Sequence, residues 1–263
     1  SNILKSIYWG QNPHRISCNF SLKFCMMIFI LLCALFAEII WTIAGFWSSS
    51  ILLPLLSQMM DFQNVLLLVA IYHIFWNGSR LFYFYKHIHT KIVLLFWIPS
   101  ILLTIVGAHY SSQIDQQILK FSLGCVLFIF ALYSLFRPSW RIQPSKFFGI
   151  IGWGLSGFTA GLIGTGWVLR WAFLTSFGLQ KEVYIGTIAL IALIVDVTRI
   201  PLYLSYGYLD AQFLLLIPPL FLVALLGSYI GKQIIQIIPS NTLRSIILVG
   251  IVILSCMMIW QNW

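Results

Sequence analysis

The sequence predicts an all-α, polytopic membrane protein with about eight transmembrane segments, arranged as two homologous four-segment repeats with broken or re-entrant first helices. Three observations predict it. Of the 263 residues, 60% are apolar and only 8% charged, against roughly 25% charged in a soluble domain, so hydrocarbon must be the solvent for most of the surface. Short polar breaks divide the chain into apolar runs close to the roughly 20 residues that a spanning helix needs. Finally, Asn77-Gly78-Ser79-Arg80-Leu81 and Asp196-Val197-Thr198-Arg199-Ile200 place an amide or acid, a hydroxyl and an arginine at identical spacing near the ends of two long apolar segments.

Residues 1–23 are mixed polar and basic, without the short apolar core and cleavage site of a secretory signal, and read as an interfacial arm. The first membrane repeat covers 24–136, a cytoplasmic linker 137–146, and the second repeat 147–263. The block Phe24 to Met60 would reach roughly 55 Å as one helix at 1.5 Å per residue. That is too long for one crossing and too short for two. Gly45 to Ser50 and then Pro54 interrupt it. The block Phe147 to Phe177 repeats the pattern around Gly161 to Gly166. Continuous spans are expected at 63–85, 92–108 and 118–136, and again at 183–206, 213–231 and 241–260.

The two halves align at a slowly drifting offset, as a duplication with small loop insertions leaves. Trp47 to Pro54 falls on Gly164 to Trp171 at 117, Arg80 on Arg199 and Pro99 on Pro218 at 119, Gly107 on Gly227 at 120, and Leu119-Lys120 on Leu243-Arg244 at 124. Carriers built from such repeats hold their sites at the repeat interface. If each broken segment crosses, the repeats are parallel; if each is a re-entrant hairpin, they are inverted. The positive-inside rule is balanced between these topologies, and both put 86–91 and 137–146 in the cytoplasm.

The net charge of +9 sits mostly in short loops and reports topology, so nucleic acid is excluded as a partner. Cys18, Cys25, Cys33, Cys125 and Cys256 show no metal or redox spacing. His87 and His89 lack a third ligand nearby, so no metal and no cofactor are expected.

On the sixth segment Asp196, Arg199 and Tyr203 share one helix face at i, i+3 and i+7. Arg199 would bind an oxyanion through paired N–H groups, with Thr198 and Tyr203 as neutral donors. The competing reading is an Asp196–Arg199 pair that neutralises itself. Asn77, Ser79 and Arg80 repeat the set without the acid, which leaves Arg80 for substrate or for snorkelling to the interface; the snorkelling reading also applies to Arg170. Glycines that break an intramembrane helix free backbone N–H groups, so Gly164, Thr165 and Gly166 are candidate anion contacts at the positive end of a half-helix. Gly157 and Gly161 form a small-xxx-small packing surface. Glu38, isolated in the first apolar block, suits proton coupling or a counterion role, as does Asp196. His73, one turn from Asn77, is a further coupling candidate.

The second half resembles the sulfite exporter TauE/SafE family, also called the toluene sulfonate uptake permease family. The resemblance lies in Gly157-Phe158-Thr159-Ala160-Gly161-Leu162-Ile163-Gly164-Thr165-Gly166, then Ile185-Gly186-Thr187-Ile188-Ala189-Leu190, Tyr203 with Gly207-Tyr208-Leu209-Asp210, and Gly227-Ser228-Tyr229-Ile230-Gly231-Lys232 before Leu243-Arg244. It covers 147–260 well and 30–136 more faintly. Departures from the family pattern are Trp167 and Trp171 in place of a fuller glycine run and proline, and Ser48, Ser49 and Ser50 in place of glycines.

The resemblance implies an eight-segment carrier, in the cytoplasmic membrane, for sulfite or a related sulfur-containing or organic anion. Its partners would be that small anion, the lipid bilayer and a coupling ion such as the proton, and a homo-oligomer is compatible with it. The other class considered is a membrane-embedded enzyme or assembly factor handling a lipid or cofactor. No H-E-x-x-H, G-x-S-x-G or paired-acid motif supports catalysis, so the chain is not expected to be an enzyme.

Overall fold

The computed structural model describes residues 25, 27–40, 48–136, 146–175, 177–208, 210–234 and 240–263. The arm at 1–23, nearly all of the 137–146 linker and the 41–47 stretch of the first expected break lie outside the described residues. Every regular element among those described is helical: α1 (Met27–Ile40), α2 (Ser48–Leu56), α3 (Phe62–Phe84), α4 (Thr90–Gln113), α5 (Gln116–Phe136), α6 (Lys146–Ile163), α7 (Trp167–Thr175), α8 (Lys181–Ser205), α9 (Ile217–Ile234) and α10 (Ser240–Gln261). Among the described residues, Phe62–His87, Thr90–Gln113, Gln116–Phe136 and Lys181–Ser205 are long and apolar enough to cross a membrane, and Met27–Ile40, Ile150–Ile163, Phe213–Gly227 and Ile247–Gln261 are shorter apolar helices.

Two expectations are adjusted by proline chemistry. Pro54 does not interrupt the first block but lies inside α2, where its missing N–H costs one backbone bond. The span expected at 213–231 begins instead with a 3-10 turn, Ala211–Leu216, and α9 starts at Ile217. Pro218 and Pro219 occupy the first turn of α9, where an N–H has no intrahelical partner in any case.

Several contacts fix the relative directions of the helices. At one end of α3, Asn64 Nδ2 donates to Asp210 Oδ2 at 3.2 Å, and the Asp210 N–H donates to Asn64 Oδ1 at 2.9 Å. In the middle, Asn77 Nδ2 donates to Asp196 Oδ2 at 3.3 Å. Beyond the other end, the His89 N–H donates to Thr187 Oγ1 at 2.9 Å, and Gly186 lies against the Phe84 and His87 carbonyls. Helices α3 and α8 therefore run antiparallel. So do α5 and α10, where Phe121 meets Trp263 and Gly124 meets Ser255 to Ile259.

Helix α7 folds back along α6. Gly152 abuts the Phe173 ring, and Ser156 Oγ donates to the Gly166 carbonyl at 2.7 Å. The second broken block is thus a helical hairpin with both outer ends on one side.

Helices α4 and α6 pack tightly against each other, and glycine lets them approach. A Cβ added at Gly157 would stand 2.2 Å from the Ser100 carbonyl oxygen, one at Gly161 2.3 Å from that of Thr104, and one at Gly107 2.2 Å from that of Phe158. Lipid tails are as apolar as leucine, so association inside a bilayer depends on such tight van der Waals contact. Leu94, Leu102, Ile118, Ile129, Leu222 and Leu226 are exposed, which suits a surface solvated by acyl chains.

Candidate functional site at the helix break

Gly164 ends α6 by adopting φ +79°, a left-handed conformation open to glycine at no steric cost. Its N–H donates to the Ala160 carbonyl at 3.1 Å. Gly166 then passes so close to α6 that a Cβ would stand 2.1 Å from the Ser156 carbonyl oxygen. Between them Thr165 is 3% exposed, and its hydroxyl oxygen is buried without a hydrogen-bond partner. A buried orphan hydroxyl costs roughly 1–3 kcal/mol, so its retention at a break is informative.

The N-terminus of α7 starts at this turn. It meets the N-terminus of α2, because Trp167 Nε1 donates to Ser50 Oγ at 2.9 Å, and both residues are buried. Two half-helices thereby bring their unsatisfied N–H groups and positive dipole ends together in the protein interior.

The carbonyl end of α6 lies at the same turn and is capped from α8. Arg199 Nη1 donates to the Ala160 carbonyl at 2.8 Å, and Tyr203 Oη donates to the Gly161 carbonyl at 2.6 Å. The Ala160 carbonyl thus accepts from Arg199 as well as from the Gly164 N–H, the last carbonyls of a helix have acceptor capacity to spare, and a cation suits the negative end of the dipole. The rest of the Arg199 fork engages Asp196 Oδ1, from Nε at 3.0 Å and Nη2 at 2.6 Å. Asp196 Oδ2 accepts from Asn77 on α3. Asn77, Asp196, Arg199 and Tyr203 therefore form one buried network that ties α3 and α8 to the end of α6.

The remaining sequence candidates are placed elsewhere. The Ser79 and Thr198 hydroxyls donate to carbonyls of their own helices, Phe75 at 3.0 Å and Ile194 at 2.8 Å, a common outcome for hydroxyl residues inside helices. The Arg80 guanidinium carbon lies 4.6 Å from the centroid of the Trp76 ring, within cation–π range. Glu38 is fully buried and accepts from Tyr72 Oη at 2.6 Å, while Gly227 of α9 packs against its Cβ and Cγ. His73 stands in the field of Asp196, Arg199 and Arg170.

Two groups were not singled out as binding candidates by sequence reasoning. Arg170, one turn into α7, is 8% exposed, and its Nε and Nη1 are buried without hydrogen-bond partners. Tyr184, in the first turn of α8, likewise buries an unpartnered hydroxyl. The charges of Arg80 and Arg170 both act on that hydroxyl. The available signal was a cation one turn past a glycine break. Near the other end of α2, a cavity of about 410 Å³ is lined by Asp61, Asn64, Lys120 and Asp210 among others, and two carboxylates against one lysine give it no net attraction for an anion.

Comparison with curated proteins and with solved structures yields no match. The model of the family described as sulfite exporter TauE/SafE matches residues 30–258, most of the chain, and the protein belongs to that family.

Proposed function

We infer from membership in this family that the protein is a membrane anion transporter. We propose that this protein is a secondary carrier of a small anion, sulfite or another sulfur-containing or organic oxyanion, in the cytoplasmic membrane. The observation that carries the reading is the meeting of two half-helix N-termini beside the orphan Thr165 hydroxyl. Backbone N–H groups at helix starts, together with a free hydroxyl, are hydrogen-bond donors aimed at the same place, and that is the chemistry of an oxyanion cradle. Gly164, Thr165 and Gly166 contact the anion in this reading. Asn77, Asp196, Arg199 and Tyr203 position the turn, since their polar groups are engaged with one another and with α6.

The same reading makes the halves inverted repeats, each with three crossings and a re-entrant broken segment. Three offset-equivalent pairs support it: α3 with α8, α5 with α10, and the α2 tip with the α7 tip all meet in opposite directions. Gly107 of α4 packs on the broken helix of the second half, and its equivalent Gly227 of α9 packs on that of the first. Alternating access then exposes the cradle to each side by movement at this interface, driven by an ion gradient.

Purified protein in liposomes, assayed with sulfite, thiosulfate, sulfoacetate and chloride, tests the reading. Saturable flux of at least one sulfur oxyanion is expected; a protein that moves none of them contradicts it. Glu38 is the coupling group in this scheme. Glu38→Gln keeps an acceptor for Tyr72 but removes the exchangeable proton, so flux is expected to persist while its response to a pH gradient disappears. An unchanged response would remove Glu38 from coupling.

A further inference from the structure

The contact between the two half-helix tips is made by unlike residues. The offset of 117 that aligns the two broken blocks pairs Ser50 with Trp167, so the hydrogen bond from Trp167 Nε1 to Ser50 Oγ at 2.9 Å joins equivalent positions of the two halves. In the inverted-repeat reading that bond lies on the pseudo-two-fold axis, where the cradle is centred. One half puts a hydroxymethyl group there and the other an indole.

Packing fixes the indole in place. Trp167 and Ser50 are buried, and the Phe130 ring of α5 meets the Trp167 ring edge-on with centroids 4.9 Å apart. The adjoining wall is apolar as well, since a Cβ at Gly164 would stand 3.1 Å from a methyl of Leu53 on α2 and 2.7 Å from one of Leu66 on α3. Leu53, Leu66, Phe130 and Trp167 belong to one buried apolar cluster. The donors at the break are thus ringed by side chains packed against one another, and the largest of these, the indole, is the one on the axis.

N–H and O–H donors can serve the oxygens of a bound oxyanion, but any group attached behind those oxygens needs room. A serine at 167, as at 50, would leave that room, and a tryptophan takes it. Truncating a large side chain in such a place leaves a cavity lined by hydrocarbon, which accepts an aromatic ring more readily than water.

Resting on the carrier reading above, we propose that Trp167 is a specificity-determining residue that confines the cradle to compact oxyanions, such as sulfite and thiosulfate, and shuts out sulfonates with a bulky or aromatic tail. The indole N–H has a second task, because it fixes the Ser50 hydroxyl, which keeps its own proton to donate to the anion. Bulk sets the size limit, and the N–H orients a donor.

The test uses methanesulfonate and benzenesulfonate, which share head group and charge and differ in the tail, as inhibitors of thiosulfate uptake into liposomes holding the full-length protein. Wild type should need about tenfold more benzenesulfonate than methanesulfonate, or a still larger excess, for equal inhibition. In Trp167→Ala that ratio should fall to about one or invert, because the phenyl ring fills the vacated space against Phe130. Trp167→Leu, a milder truncation that keeps the test open if the alanine variant does not fold, should lower the ratio about threefold or more. Trp167→Phe keeps a ring but loses the N–H, so uptake should slow while the ratio stays within about threefold of wild type. A folded Trp167→Ala or Trp167→Leu protein that keeps the full ratio overturns the size limit, and so does a Trp167→Phe protein that loses it. A wild type that takes both sulfonates alike, or neither, overturns it too; all of these results leave the carrier reading intact. A wild type that moves no oxyanion at all overturns both.

Discussion

Replacing Gly157 with leucine is expected to abolish recovery of folded protein. The Cβ alone would stand 2.2 Å from the Ser100 carbonyl oxygen, a backbone atom in the middle of α4. No side-chain rotation relieves that clash, so the helices must separate. Separation also lifts Gly161 off Thr104 and Gly107 off Phe158, since all three contacts lie along one seam. Overpacking a tight core costs about 1–3 kcal/mol and occasionally more, and here the whole α4–α6 contact opens, so about 3 kcal/mol or more is expected. Fluorescence-detected gel filtration after graded heating measures it. Gly157→Ala should already lower the midpoint. Gly250→Ala is the control, because nothing among the described residues lies within 4 Å of its added methyl, and it should leave the midpoint unchanged or raise it. A Gly157→Leu protein as heat-resistant as wild type would remove the seam from the account.

Asp196→Ala is expected to cost about 3–5 kcal/mol, because it leaves the Arg199 guanidinium buried without its carboxylate. Asn77 loses an acceptor in the same step. The double variant Asp196→Leu with Arg199→Met removes both charges and fills the space. It should recover much of the loss, though not all, since the Ala160 carbonyl at the end of α6 keeps only the Gly164 N–H and the longer contact at 3.3 Å from Tyr203 Oη. Thermal midpoints of wild type, Asp196→Leu, Arg199→Met and the double variant form a double-mutant cycle that gives the coupling energy. Additive effects of the two single changes would show that the pair does not act as a unit.

The helices could be read from the sequence because apolar length alone specifies them in lipid, and the second break because three glycines in six residues cannot continue a helix without cost. The Asp196–Arg199 pairing was legible from i, i+3 spacing. Its purpose was not: the Ala160 and Gly161 carbonyls are ordinary backbone in sequence, and that they accept from the Arg199 and Tyr203 side chains where α6 ends is a matter of tertiary packing. The direction of α7 was equally hidden, since charge in the loops balanced between a crossing and a hairpin. What decides it is steric, a Gly152 flat enough for the Phe173 ring and a Ser156 placed to hold the turn. Arg170 resembled an interfacial arginine because sequence cannot tell whether a long cationic side chain reaches water.

The central claim is that the helix break presents donors to an anion, and thiosulfate flux in liposomes carrying Thr165→Val tests it most directly. Valine keeps the shape and removes a hydroxyl that bonds to nothing among the described residues, so the thermal midpoint should hold or rise. Initial flux is predicted to fall about tenfold or more, in line with losing one hydrogen bond to a charged group. A Thr165→Val protein that transports at the wild-type rate would contradict the claim.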